Sequence, residues 1–193
     1  MKQKLLHKLN NRRGFSLTEM LATVLIMGFV GIIITTGAAT VQRVYRKVVA
    51  HANAQTALTT TITLMKDQLA FADPESIGNG SETGTGFGNS QTIVFRNLNS
   101  GEQTITLNPG TANRGFTLTY TAVDGTGTAS TTTLPLLSDS AITSDLCVCF
   151  DTNGGFTWDP ATQVITVTKL VAKDTRTDTV QARASFKVLL VNG

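Results

Sequence analysis

Residues 20–42 form a run of 23 residues without a charge, and one carboxylate, Glu19, stands at its entrance. As a helix the run spans about 34 Å at roughly 1.5 Å per residue, enough to cross the apolar core of a bilayer. Thr23, Thr35 and Thr36 are compatible with that helix, because a threonine hydroxyl can bond back to a carbonyl one turn earlier. A carboxylate at the mouth of a membrane span is costly and so needs a partner or a task. Five cations precede it, Lys2, Lys4, Lys8, Arg12 and Arg13, with no acid among them.

Those five residues set the sign of the chain. Removing residues 1–14 takes five of the 16 Lys and Arg and none of the 13 Asp and Glu, so a net charge of +3 becomes −2. The basicity belongs to a tail, which gives no ground for nucleic-acid binding. Before an apolar run, a basic tail is a cytoplasmic flank under the positive-inside tendency. Arg43, Arg46 and Lys47 follow the run, so five cations on one side outweigh three on the other. The expected topology is a single pass with the N-terminus in the cytoplasm and the C-terminal domain outside. A secretory signal has a shorter apolar region, about 7–15 residues, with its small-residue site after it. Here the small residue, Gly14, comes first, and cleavage there leaves the apolar segment on the mature chain.

The helical pattern runs on from residue 15 to about 71. Val41, Val44 and Val48, then Leu58, Ile62, Met65 and Leu69, recur at three- and four-residue spacing, and Asp73-Pro74 closes the pattern. This amphipathic second half, residues 43–73, is expected to pack its stripe on a downstream domain. Residues 74–90 are a glycine-rich connector without the Lys-Ser/Thr end of a phosphate loop. From 91 to 193 the signals are β. Strands are expected over 92–98, 103–107, 116–122, 131–137, 146–150, 163–171 and 180–191, with turns at Asn99-Ser100-Gly101, Asn108-Pro109-Gly110, Asp124-Gly125, Asn153-Gly154-Gly155 and Asp159-Pro160. Threonines alternate with apolar residues, which suits an antiparallel sheet wet on one face and covered by the helix stripe on the other. The fold class is therefore α+β, a long N-terminal helix packed on a C-terminal antiparallel sheet.

No catalytic constellation accompanies this plan. His7 lies in the basic tail and His51 on the helix, neither with a Cys or carboxylate beside it in sequence. An enzyme is not expected, and no cofactor is implied. Cys147 and Cys149 flank Val148 on a strand, so both thiols share a face. Their Cα spacing lies near the upper limit for a disulfide. A metal site would need about two further ligands, and the sequence offers no obvious pair. Core packing, a bridge to each other and a bridge to another chain all stay open. Asp151-Thr152-Asn153-Gly154-Gly155 lacks the closing glutamate of a calcium loop and is expected as a β-turn.

Gly14-Phe15-Ser16-Leu17-Thr18-Glu19-Met20-Leu21, with the basic leader before it and the apolar helix after it, resembles the processing site of type IV pilins and type II secretion pseudopilins. The resemblance covers residues 1 to about 40. It implies a structural filament subunit, major or minor, of a pilus, secretion or competence system. It implies that residues 1–14 are a leader, that prepilin peptidase cuts Gly14–Phe15, and that the same enzyme N-methylates Phe15. It also implies that Glu19 pairs with the new amino terminus of a neighbouring subunit. Its partners would be the peptidase, other pilin subunits, an assembly ATPase with its platform membrane protein, and, before assembly, membrane lipid. Physics agrees on the charges, since a freed Phe15 amine is cationic and Glu19 sits in the first helical turn, where the macrodipole favours an anion. The chain departs from the family in two respects: Gly28, Gly31 and Gly37 stand where many major pilins carry proline, and the widely spaced C-terminal cysteine pair of many Gram-negative pilins is missing. The competing reading is a membrane-anchored surface domain that binds a ligand or adheres and never polymerises.

Overall fold

The computed structural model describes residues 16–97, 103–109, 115–123, 125–138 and 146–191. One helix, α1 (Leu17–Ala70), is followed by a 3-10 turn (Pro74–Ser76) and eight strands. These are β1 (Phe87–Ser90), β2 (Ile93–Arg96), β3 (Thr104–Pro109), β4 (Phe116–Val123), β5 (Ala129–Pro135), β6 (Leu146–Asp159), β7 (Val164–Asp174) and β8 (Val180–Leu189). Two compact units divide the chain, residues 1–47 and 48–193.

In the first unit α1 is capped by Ser16, whose carbonyl accepts from the amides of Glu19 at 2.9 Å and Met20 at 3.1 Å. The threonines of the apolar run bond back as expected. Thr23 Oγ1 donates to the Met20 carbonyl at 2.8 Å, Thr35 to Gly31 at 2.7 Å and Thr36 to Ile32 at 2.8 Å. No hydroxyl is left needing water, which suits an apolar surrounding.

In the second unit the helix supplies one wall of the core. Ala54, Ala57, Leu58, Thr61, Met65 and Leu69 are buried, at the three- and four-residue spacing of one helix face. The lower half of the expected stripe is thus the packing face, with Ile62 half-buried at its margin. The chain then turns sharply at Asp73-Pro74. The Asp73 amide donates to the Arg96 carbonyl at 2.8 Å, and the Asp73 carboxylate accepts from the Glu75 amide, opening the 3-10 turn. After β8, the Val191 amide donates to the Ala70 carbonyl at 2.9 Å, which satisfies one of the orphan carbonyls of the last turn of α1.

The β-region resolves into two four-stranded antiparallel sheets rather than one, ordered β2-β3-β4-β5 and β1-β6-β7-β8. Ile93, Phe95, Ile105, Leu107, Phe116 and Leu118 face inward from the first sheet. Val148, Phe156, Trp158, Ile165, Val167, Leu170 and Ala172 do so from the second. Phe116 of β4 joins the sheets by edge-to-face packing on Phe150 and Phe156 of β6, with ring centroids 5.0 and 6.4 Å apart.

Three sequence expectations need correction. Residues 74–90 are not wholly a connector, because Phe87–Ser90 forms β1 and pairs with β6 through Phe87↔Trp158 and Ser90↔Phe156. Asn153-Gly154-Gly155 is not a turn but lies inside β6, at an irregularity in its pairing with β7. The reason is steric: a Cβ at Gly155 would stand 2.6 Å from the Ser90 carbonyl oxygen, so only glycine lets β1 approach. Asn108 and Pro109 belong to β3, paired with Thr117 and Phe116. The expected turn at 99–101 lies outside the described residues.

Candidate functional site

The first unit presents its site as helix surface. Glu19 is exposed in the first turn of α1. Around it and beyond it Leu17, Leu21, Val24, Leu25, Phe29 and Ile33 are exposed too. The most apolar 18-residue window of the helix has none of its surface buried, and α1 is long and apolar enough to cross a membrane. An apolar surface of that size on an isolated chain marks a site that lipid or other protein covers. Glu19 is the one acid from residue 1 to Lys66, and no Lys or Arg stands between Arg13 and Arg43, so any cation near it comes from the basic flank, a chain terminus or another molecule. Gly14 and Phe15, the residues expected at a processing site, lie outside the described residues, and so does their geometry toward Glu19.

The three glycines of the span have open space around them. A Cβ at Gly28, Gly31 or Gly37 would meet no atom within 4 Å. Nothing among the described residues requires small residues there. Glycine costs a helix roughly 1 kcal/mol relative to alanine, so the three positions weaken the helix without relieving any contact in the chain itself. Further along, Val41 and Val44, read in sequence as part of the packing stripe, are exposed, as is Tyr45 beside them.

The second unit holds two sets of polar residues. His51 and Gln55 are joined side chain to side chain at 3.0 Å on α1. With Thr59, Ile62, Gln181 and Arg183 they line an open groove of about 610 Å³ between the helix and β8. The thiols of Cys147 and Cys149 are both free, Cys147 buried and Cys149 half-buried. The Cys149 thiol donates toward the Cys147 sulfur. That donation holds the Cys147 thiol down to about 6, against the upward push of burial, with smaller help from the Gly115 backbone and the Lys173 cation. Cys149, which keeps the shared proton, is pushed up. Sequence spacing placed these thiols on one face, but it gave no sign of Lys173, which strand pairing brings opposite Cys147. Among the described residues no group of three or more His, Cys, Asp and Glu comes together.

Comparison with known proteins adds one finding. A family model described as the prokaryotic N-terminal methylation motif matches residues 9–35. That motif is the signature of the prepilin leaders of type IV pilins and pseudopilins, and it describes structural subunits rather than an enzyme family. Neither the curated proteins nor the solved structures offer a match to the chain. The N-terminal segment therefore carries the prepilin-type methylation motif. The apolar helix and the α+β layout fit a membrane-anchored pilin.

Proposed function

We propose that this chain is a structural subunit of a type IV pilus-like or type II secretion or competence filament. Residues 1–14 are its leader, 15–42 its membrane-spanning and assembly segment, 43–73 an amphipathic helix, 74–86 a connector, and 87–193, from β1 onward, a β-rich domain outside the cell. Prepilin peptidase cuts between Gly14 and Phe15 on the cytoplasmic side and methylates the Phe15 amine. The mature chain rests in the cytoplasmic membrane as a single pass. An ATP-driven platform then moves it into a filament in which α1 lies among the helices of other subunits.

The observation that carries this reading is the pairing of one isolated carboxylate with a helix whose apolar surface the chain itself does not cover. A buried carboxylate needs a cation close by. The cut that removes the basic leader creates one, the Phe15 amine, four residues from Glu19. In a filament that amine belongs to a neighbouring subunit, so Glu19 would set the axial register between chains. The exposed Val41, Val44 and Tyr45 extend the same uncovered surface beyond the span.

Glu19→Ala tests the assignment. Processing continues in the variant, because the peptidase acts at Gly14–Phe15, while filament yield falls by an order of magnitude or more. That loss corresponds to at least about 1.4 kcal/mol per subunit addition. Wild-type filament yield from Glu19→Ala would remove Glu19 from the assembly role. A chain whose N-terminus is uncut, or cut after the apolar run, would favour the anchored surface domain instead.

A further inference from the structure

From residue 15 to 65 the Lys and Arg of the chain are Arg43, Arg46 and Lys47, which stand together directly after the apolar run. Arg46 and Lys47 lie three and four residues beyond Arg43, so the three share one face of α1. At about 100° per residue, Val41, Val44 and Tyr45 fall on the opposite face. All six are exposed, Tyr45 at 69%. The nearest acids along the chain are Glu19 and Asp67, each at least 20 residues away. Among the described residues none of the three cations is held in an ion pair.

We propose that Arg43, Arg46 and Lys47 form a binding face for the headgroup of an anionic phospholipid, which holds the mature chain at a fixed depth until it is assembled. This pairing rests on the membrane span proposed above, and depth is its first support. The run of 23 uncharged residues fills a hydrocarbon core of about 30 Å. Residues 43–47 then occupy about the next 7 Å, the thickness of one headgroup layer. That depth is the same whichever end of the helix faces the cytoplasm. Tyr45 lies in the same layer, where an aromatic ring with a polar tip settles.

Charge names the occupant. Cations at this end of the span oppose the orientation that the basic tail sets, a cost that calls for a counter-charge. The helix brings none, since residues 20–66 contain no acid. Lipid phosphates occupy the layer in which Arg43 and Arg46 stand, and a guanidinium can give two hydrogen bonds to one phosphate. Lys47 adds a compact charge on the same side. The face lies outside residues 1–14, so cutting the leader leaves it intact. It is given up only when α1 leaves the membrane.

The test places the full chain in phosphatidylcholine vesicles that carry a trace of spin-labelled phosphatidylglycerol or spin-labelled phosphatidylcholine. Electron paramagnetic resonance reads the share of each label held against the protein. The preference for phosphatidylglycerol should fall at least about fivefold in Arg43→Gln/Arg46→Gln/Lys47→Gln, the scale of one basic side chain's attraction to an anionic lipid surface. In the wild type it should shrink in high salt. The leader is the same in both chains, so its own attraction for lipid cancels in the comparison. Co-flotation with the vesicles shows that each chain is inserted, and Trp158 fluorescence that its domain is folded. A triple variant that floats and keeps the full preference overturns the lipid face and leaves the span standing. A wild type that does not float overturns the span, and the lipid face with it. Carbodiimide cross-linking of Lys47 to a carboxylate of a second copy, without any lipid preference, assigns the face to another subunit and likewise overturns it.

Discussion

Leu69→Ala measures how firmly the β-domain is held to the helix that would carry it in a filament. Leu69 is 0% exposed, on the last turn of the packing face that begins at Ala54. The substitution removes three carbons, worth about 2.4 kcal/mol of transfer free energy at roughly 0.8 kcal/mol per methylene. The neighbourhood is tied down on both sides, by the Val191 amide on the Ala70 carbonyl and by Asn97 Nδ2 on the Gln68 carbonyl at 3.3 Å. The site therefore collapses poorly, and a residual cavity brings the total to about 3–4 kcal/mol, inside the usual span for buried leucines. The same truncation at Val44, 57% exposed on the same helix, should cost under about 0.5 kcal/mol. Urea titration of the full chain in detergent, followed by the fluorescence of the one tryptophan, buried Trp158, reports both. At roughly 2–4 °C per kcal/mol, the thermal midpoint of Leu69→Ala should fall by about 10 °C. Equal and small losses at the two positions would refute the reasoning, because they would mean that residues 54–69 do not anchor the domain.

Three further outcomes follow from local geometry. Cys149→Ala removes the donor that holds the Cys147 thiol down to about 6, so the pH profile of Cys147 alkylation should move up toward the ordinary thiol range; an unmoved profile contradicts the hydrogen bond. Asp159 accepts from Thr162 Oγ1 at 2.7 Å, and Asp174 accepts from the Arg176 and Thr177 amides, which lowers both carboxyls below their ordinary value. A lowered folded-state value gives stability that is present above the unfolded value and lost as pH falls through the folded one. The β6–β7 and β7–β8 turns should therefore loosen only on the acid side of about pH 4, and amide protection factors there, with the intrinsic pH dependence of exchange divided out, should stay flat from neutral pH down to that point. Gly155→Ala forces a methyl to within 2.6 Å of the Ser90 carbonyl, so β1 should part from β6 and the backbone amides of 87–90 should lose exchange protection.

The parts of the fold that showed in sequence are those governed by local repetition. The helix was legible because apolar three- and four-residue spacing recurs on both sides of an alanine-rich stretch, with no proline before Asp73-Pro74, and β3, β4 and β7 because threonine alternates with apolar residues. What stayed hidden depends on partners far along the chain. β1 carries Gly88 and Asn89, the latter in a left-handed conformation, and is a strand only because β6 lies beside it. Division into two sheets follows from β6 pairing with β1 and β7 and not with β5, its predecessor in the chain. On the helix, Ala54, Ala57 and Thr61 pack against the domain, but small residues leave little trace in an apolar pattern. Conversely Val41 and Val44 keep the helical spacing yet stay exposed, since periodicity tells which face is apolar and not what covers it. The N-terminal methylation motif was readable, because it is a pattern of adjacent residues that needs no fold to show. Around the thiols only the shared face was legible; Lys173, Val171 and Arg183 arrive through the pairing of β6, β7 and β8.

The central claim is that residues 1–14 are discarded and that the amine this creates becomes the partner of Glu19. Intact mass and N-terminal sequencing of the protein from cells that make it, beside the same chain made where prepilin peptidase is absent, test this directly. The account predicts a mature chain that begins at N-methyl-Phe15 in the first case, and an unprocessed leader in the second. A chain that keeps residues 1–14 in cells with the peptidase, or that is cut after the apolar run, would contradict it.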